Sequence, residues 1–268
     1  MSNKPKILLT CDDGIHSNGL LQLYYELSNI ADVTIITPHI QRSAEGKAIT
    51  INQILRIEKI IINGDFEGYS INGTSADAVI FGLHELDGPF DLVVSGINQG
   101  LNISSHIVLT SGTCAAAFEA SFYGVPAIAF SMDVSPQHYF ITPSRETFEQ
   151  TAKISAKIVS ILLGEKYPEN LAFINVNYPF SITEKTPIKI TNLAKRFLIF
   201  KPELRKDPRN NDYYFLWGEP AKEAPPGSDI EAFTQGAISL SPVINDLSFP
   251  FNKESLKFLD DLLLDLKE

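Results

Sequence analysis

Residues 6–37 read KILLTCDDGIHSNGLLQLYYELSNIADVTIIT. Lys6 to Thr10 is a short apolar run, Leu20, Leu23, Tyr24, Leu27 and Ile30 recur at helical spacing, and Val33 to Thr37 is apolar again. Strand, helix and strand in that order make a βαβ unit. The same grammar continues with a helix over Thr74 to Leu86, a strand over Phe90 to Val94, a helix over Gly112 to Tyr123 and a strand over Ala127 to Ser131. An α/β fold is predicted, with a parallel sheet covered by helices on both faces.

Thr142 as N-cap and Pro143 at the first helical position predict a long helix through Phe148, Ala152, Ile158 and Ile161, stopping at Gly164. A buried strand over Leu171 to Val176 follows. After Pro179 the pattern changes to extended alternation in Ile188 to Phe200, a polar turn-rich stretch from Lys206 to Asp212, and the loop Ala224-Pro225-Pro226-Gly227. A boundary near 180 therefore divides residues 1–180, the α/β unit, from an extension, 181–268, of β-arms ending in an amphipathic helix marked by Leu256, Leu259, Leu263 and Leu266.

The 268 residues are 44% hydrophobic and 20% charged, enough apolar side chain for a true core. With 22 Lys and Arg against 32 Asp and Glu the net charge is −10, and no segment concentrates cations. Long nucleic acid and anionic membrane are excluded as expected partners. That acidity also repels phosphorylated substrates at long range, so phosphate chemistry would need a locally supplied cation. No secretory leader precedes Ile7-Leu8-Leu9, no apolar run reaches membrane-spanning length, and the two cysteines, Cys11 and Cys114, form no disulfide framework. A cytoplasmic location is expected.

The first strand ends in Thr10-Cys11-Asp12-Asp13-Gly14, placing adjacent carboxylates at the carboxyl end of a buried strand, the edge where open α/β sheets bind ligands. A hard divalent cation would relieve the repulsion of such a pair. A loop start with Asp13 as a turn cap would carry the same residues. Three further segments belong at this edge: the loop His39 to Lys47, which contains Ser43; Ser95-Gly96-Ile97-Asn98-Gln99-Gly100-Leu101-Asn102 after the fourth strand; and Ser111-Gly112-Thr113 opening an Ala-rich helix, where free N–H groups and the helix dipole favour negative charge. Carboxylates for a metal, a hydroxyl and an amide oxygen to complete its shell, and a helix N-terminus for phosphate together read as a phosphoryl-transfer site.

Spacing removes several rivals. Gln41 and Ala48 stand where a P-loop around Gly46-Lys47 needs Gly and Ser or Thr, and Gly88 stands where a zincin beginning at His84-Glu85 needs its second His. Neither cysteine is followed within seven residues by the arginine of a cysteine phosphatase. Asp12 and Asp13 are contiguous rather than separated by one residue as in haloacid-dehalogenase phosphatases, and the later strand ends in Ser95-Gly96, without a receiver domain's aspartate. Activated water is then the expected nucleophile. Of the histidines, His16, His39 and His106 fall near the edge, and His106 is a candidate for proton transfer or phosphate contact. Tyr213 to Trp217 reads as core or an intersubunit contact, with nucleobase stacking as the other use.

In this order the segments Ile7 to Ile15, Ser43 to Gly46, Asn72 to Asp77, Asp91 to Asn102, Ser111 to Glu119, Val125 to Ser131, Asn175 to Pro179 and Gly227 to Pro242 resemble the survival protein E (SurE) family of metal-dependent 5′-nucleotidases. The resemblance implies a Rossmann-like three-layer unit and one Mg²⁺ or Mn²⁺ per subunit held by Asp12, Asp13, Ser43 and Asn98. It implies phosphate contacts from Asn102 and Ser111-Gly112-Thr113, and hydrolysis of nucleoside 5′-monophosphates, with short polyphosphate as a further substrate in some members. It also implies C-terminal elements exchanged between protomers of a homodimer or homotetramer. Cys11, Ser104 and Thr110 depart from the residues the family favours at those positions, and none is an expected metal ligand. The rival from another class is a catalytically weak nucleotide-binding or regulatory protein.

Overall fold

A computed structural model describes residues 4–62, 66–134, 143–248 and 256–257. Strands β1 (Lys6–Thr10), β2 (Asp32–Pro38), β3 (Ile57–Ile62), β4 (Phe66–Ile71), β5 (Leu92–Gln99), β6 (Ala127–Met132), β7 (Leu171–Tyr178), β8 (Ile188–Ile190) and β11 (Ile238–Ile244) form one sheet in the order β3-β4-β2-β1-β5-β6-β7-β11-β8. Its centre is parallel, from β4 across β2, β1, β5 and β6 to β7. Antiparallel pairs flank it: β3 on β4 and β11 on β7. The chain leaves β1 toward β2 on one side and later returns to lay β5 on its other side. The gap beyond the carboxyl ends of β1 and β5 is thus a topological switch point, where such sheets open a crevice.

Alternation along the strands sends side chains to two cores. Ile7, Leu9, Leu92, Val94, Ile128 and Phe130 pack with α1 (Asn18–Ser28) and α5 (Glu149–Leu162) on one face. Leu8, Val93, Ala127 and Ala129 pack with α2 (Ser75–Glu85) and α4 (Gly112–Phe122) on the other. Alanines at 116, 117 and 120 let α4 lie close against Ala127 and Ala129. The helices start where their caps dictate: Ser17 accepts from the Leu20 amide, and Thr74 with Asp77 forms a reciprocal capping box.

Several elements differ from the sequence reading. The Phe90 to Val94 strand begins at Leu92 and runs on to Gln99, because β6 continues to pair with it across a register shift between Ser95 and Asn98. Gly96 makes that shift possible: its φ is +131°, and a Cβ there would stand 2.4 Å from the Phe130 carbonyl oxygen. The β3–β4 ribbon adds a sheet edge that the apolar pattern did not mark. Thr142 lies outside the described residues, and a 3₁₀ turn at Arg145–Phe148 precedes α5, which begins at Glu149. Of the C-terminal helix only Leu256 and Lys257 are described, both helical; Leu259, Leu263 and Leu266 lie outside.

Beyond residue 180, β8 and β11 extend the main sheet, while among the described residues β9 (Leu198–Lys206) and β10 (Asp212–Pro220) pair only with each other in a ribbon. α6 (Asp229–Thr234) ties the ribbon's root to the body. The buried Asp229 carboxylate accepts from the amides of Ser104 (2.6 Å) and Ala194 (2.9 Å), each from a different segment.

Candidate active site

Asp12 and Asp13 leave β1 directly into the switch-point crevice, with Asn98 at the neighbouring end of β5. Asp12 is 4% exposed. The Thr113 hydroxyl donates to Asp12 Oδ1, and the Asp12 carbonyl accepts from the Arg42 amide at 2.8 Å. Asp13 Oδ2 accepts from the Gln99 amide at 2.9 Å and Oδ1 from Gln41 Nε2 at 3.1 Å. The loop His39 to Lys47, the end of β5 and the start of α4 are therefore all fastened to the acid pair.

Burial, followed by the Asp13 charge, pushes the Asp12 carboxyl up to about 7, and burial raises Asp13 as well. No Lys, Arg or His forms an ion pair with either carboxylate among the described residues. A buried and a half-buried acid side by side without a counter-charge suit a bound cation. The neutral donors at hand are also hard oxygens. Asn98 donates its amide N–H to the Gly100 carbonyl at 2.8 Å, which turns its oxygen away from that bond, and Ser43 is exposed on the loop pinned at Arg42. No three His, Cys, Asp or Glu side chains converge among the described residues; two carboxylates beside neutral hard oxygens are the chemistry that fits a Mg²⁺- or Mn²⁺-type cation.

The N-terminus of α4 meets this pair at contact distance. The Ser111 hydroxyl caps the helix by accepting from the Cys114 amide at 3.1 Å, leaving the Gly112 and Thr113 N–H groups without an intrahelical acceptor. Gly112 permits the approach, because a Cβ there would fall 2.7 Å from Asp12 Cβ. Gly112→Ala is therefore expected to shift Asp12 or the helix start by a few tenths of an ångström. Activity should fall about 10- to 100-fold and stability by about 1–3 kcal/mol, read by steady-state kinetics and thermal melts.

Asn102 is buried, and its own hydrogen bonds are largely used. Its amide N–H₂ donates to Ser131 Oγ (2.8 Å), its backbone N–H to Asn177 Oδ1 (2.7 Å), and its carbonyl accepts from Asn175 Nδ2 (2.8 Å). Ser131, Asn175 and Asn177 were not singled out from the sequence as site residues. Polar side chains inside otherwise apolar strands β6 and β7 were the available signal. His106 stands apart: it lies on α3 (Ser105–Thr110) with its ring edge-on to Phe200 at 5.6 Å, and no hydrogen bond joins it to Asp12 or Asp13. His39 Nδ1 pairs with Ser70 Oγ at 3.1 Å.

Cys11 and Cys114 are free, fully buried thiols. Burial first, then the charges of Asp13 and Asp12, raises Cys11 well above the ordinary thiol range, and burial pushes Cys114 up to about 12. The neighbouring acids add to burial, which is the larger cause. Neither is a thiolate nucleophile. The folded protein is expected to resist an aromatic disulfide reagent at pH 8 and to release two thiol equivalents only on unfolding; fast labelling of Cys11 in the native state would contradict this.

Residues 7–199 match the family model described as survival protein SurE. The chain belongs to the SurE family. It is 40% identical over 252 residues to the protein named 5′-nucleotidase SurE from Methanosarcina mazei, covering 90% of this chain and 92% of that one. The correspondingly named protein of Archaeoglobus fulgidus is 38% identical over 244 residues, covering 91% and 92%. The crystal structure of the SurE protein from Aquifex aeolicus superposes with a TM-score of 0.79 at 32% identity, covering 96% of this chain and all of that one. That structural match accords with the mixed α/β, mostly parallel architecture that the βαβ pattern predicts.

Proposed function

We propose that this chain is a divalent-metal-dependent phosphomonoesterase that hydrolyses nucleoside 5′-monophosphates to nucleoside and phosphate. The observation that carries the proposal is the adjacent carboxylates of buried Asp12 and half-buried Asp13, without an ion-pair partner among the described residues, set against the free N-terminus of α4. The names borne by the relatives support the same reading.

Asp12, Asp13, Ser43 and Asn98 would hold one Mg²⁺ or Mn²⁺ per subunit. That ion would supply positive charge against the substrate dianion and acidify attacking water. The Gly112 and Thr113 N–H groups, with the dipole of the 11-residue α4, receive the phosphate oxygens and stabilise their charge as the bond to the leaving oxygen breaks. Thr113 donates to Asp12 and so holds one carboxylate oxygen in place, while Gln41 and the Gln99 amide do the same for Asp13. Asn102, fixed by Ser131, Asn175 and Asn177, supports the floor of the phosphate site. Short polyphosphate would present the same terminal phosphoryl group to this site.

The active form is a homodimer or homotetramer joined through the β9–β10 ribbon. Both strands are exposed along nearly their whole length, with Tyr214 67%, Leu216 66% and Trp217 57% open to solvent. A lone two-stranded ribbon of this composition is poorly stable and adhesive in water. Two unpaired thiols suit a reducing cytoplasmic setting, and no helix among the described residues is long and apolar enough to cross a membrane.

The substrate class is tested by phosphate release from matched 5′- and 3′-nucleoside monophosphates and tripolyphosphate in Mn²⁺. Preferential release from the 5′-monophosphates is expected. Tight nucleotide binding without release would favour a regulatory nucleotide-binding protein instead.

A further inference from the structure

Between α3 and the root of the β9–β10 ribbon lies a cleft of about 530 Å³, lined by His106, Leu109, Lys195, Arg196, Ile199 and Phe200 among others. It is separate from the crevice that holds the acid pair, but the same short stretch of chain reaches both. Asn102 belongs to the phosphate side, and two residues later the Phe197 amide donates to Ser104 Oγ (3.0 Å) and the Ser105 amide to the Ala194 carbonyl (2.7 Å), fastening the cleft's outer wall. From His106 to Thr110 the helix rises roughly 6 Å. Thr110 immediately precedes Ser111 and the phosphate-facing start of α4.

The lining sets two exposed cations beside apolar and aromatic side chains. In a chain of net charge −10, Lys195 and Arg196 form no ion pair among the described residues, although every Lys or Arg on the ribbon strands themselves pairs with an acid. His106 Nδ1 is buried and has no hydrogen-bond partner among the described residues. A buried polar atom left unpaired costs stability unless something else satisfies it. The same cleft is lined by the apolar side chains of Leu109 and Ile199 and by the Phe200 ring. A second phosphate would use the cations and leave the aromatic and aliphatic surface wasted. A flat heteroaromatic ring with acceptors on its edge would use both.

We propose that this cleft is the nucleoside-recognition subsite, taking a purine whose edge presents acceptors, the 6-oxopurine type, with the ring against Phe200 and its acceptor edge toward Lys195, Arg196 and His106. Arginine and lysine pair favourably with the adjacent O6 and N7 acceptors of guanine, whereas adenine offers a donor at the first position. The inference rests on the nucleotidase reading above, and it makes His106 and Arg196 specificity-determining residues rather than groups that move a proton.

The experiment compares kcat/KM for GMP, AMP and p-nitrophenyl phosphate, a phosphomonoester without a nucleoside, in the parent protein and in Arg196→Ala, His106→Ala and Phe200→Ala. The parent should prefer GMP to AMP. Each variant should lower the GMP to p-nitrophenyl phosphate ratio about tenfold, chiefly through KM for GMP. A ratio within twofold of the parent in all three variants overturns the subsite, as does a loss confined to tripolyphosphate hydrolysis, which would assign the cations to a phosphate chain. Should the parent hydrolyse none of these, the nucleotidase reading fails separately. Calorimetric binding of guanosine to the parent and to Arg196→Ala then still decides the subsite: weaker binding in the variant is expected, and equal or absent binding in both overturns it.

Discussion

Asp12→Asn is expected to lower phosphate release from a nucleoside monophosphate by more than about 100-fold while leaving the protein folded. The asparagine keeps an oxygen in place to accept from Thr113, so the hydrogen bond from α4 survives. What is lost is one of two anionic donors, and even groups that only support a metal ligand typically cost 10- to 100-fold when removed. Stability should respond in a way that a purely structural role would not produce. Burial and the Asp13 charge both disfavour ionised Asp12, so a neutral isostere relieves repulsion and the variant's melting temperature in chelator should equal or exceed the parent's. A cation at about 100 times its dissociation constant stabilises the parent by about 2.7 kcal/mol. That corresponds to a rise of several degrees. The variant should rise by much less. Retained activity, or an undiminished metal-dependent rise, would remove Asp12 from the metal site.

The second large effect concerns assembly. Trp217→Glu is expected to convert an oligomer of at least twice the 29.7 kDa chain into monomer at micromolar concentration. Trp217 lies on a ribbon whose strands pair with each other and not with the main sheet among the described residues, and with Tyr213 and Phe215 it lines one face of β10, since alternate residues share a face. Such aromatic anchors typically carry about 2 kcal/mol or more of an interface. That is roughly a 30-fold weakening at each copy, and a two-fold contact suffers it twice. Because the side chain is already 57% exposed, the substitution removes little from the chain's own core. Light scattering decides it: a parent protein near 29.7 kDa, or a variant that stays oligomeric, would contradict the ribbon as the contact.

The parts of the fold visible in the sequence are those whose burial is complete. β1, α1 and β2 are read within a residue or two because both faces of β1 are covered, so its apolar run is unbroken, and because α1 buries a single stripe. The β3–β4 ribbon escapes notice because an edge strand needs no continuous apolar pattern: Glu58, Lys59 and Ile61 are all exposed on β3. Ser95 to Gln99 reads as loop on composition, with Gly, Asn and Gln, yet tertiary pairing with β6 holds it as strand. β11 carries buried Ser239 and Ser241 and the strand-breaking Pro242, and its place next to β7 depends on an antiparallel pairing distant in sequence.

The candidate site was legible where charge is anomalous. Two adjacent acids at the end of an apolar strand stand out because burial without a partner is costly, and Ser-Gly-Thr before an Ala-rich helix stands out because it combines a cap with a residue that lacks Cβ. The hydrogen bonds that bind these pieces together were not legible. Gln41 and Gln99 reach Asp13 from two separate segments, and the Ser131, Asn175 and Asn177 cluster around Asn102 arises only from the strand order β5-β6-β7. His106 shows the converse: its position in sequence brings it near the phosphate segment, but the turn of α3 points it to the ribbon.

The most direct test of a metal-dependent phosphomonoesterase built on Asp12 and Asp13 is phosphate release from a nucleoside 5′-monophosphate by protein first stripped with excess chelator and then given Mn²⁺ or Mg²⁺ in increments. The account predicts background release in chelator and saturable recovery as one equivalent of metal binds per chain. Full turnover in the stripped protein, or no recovery at any metal concentration from a protein that remains folded, would contradict it.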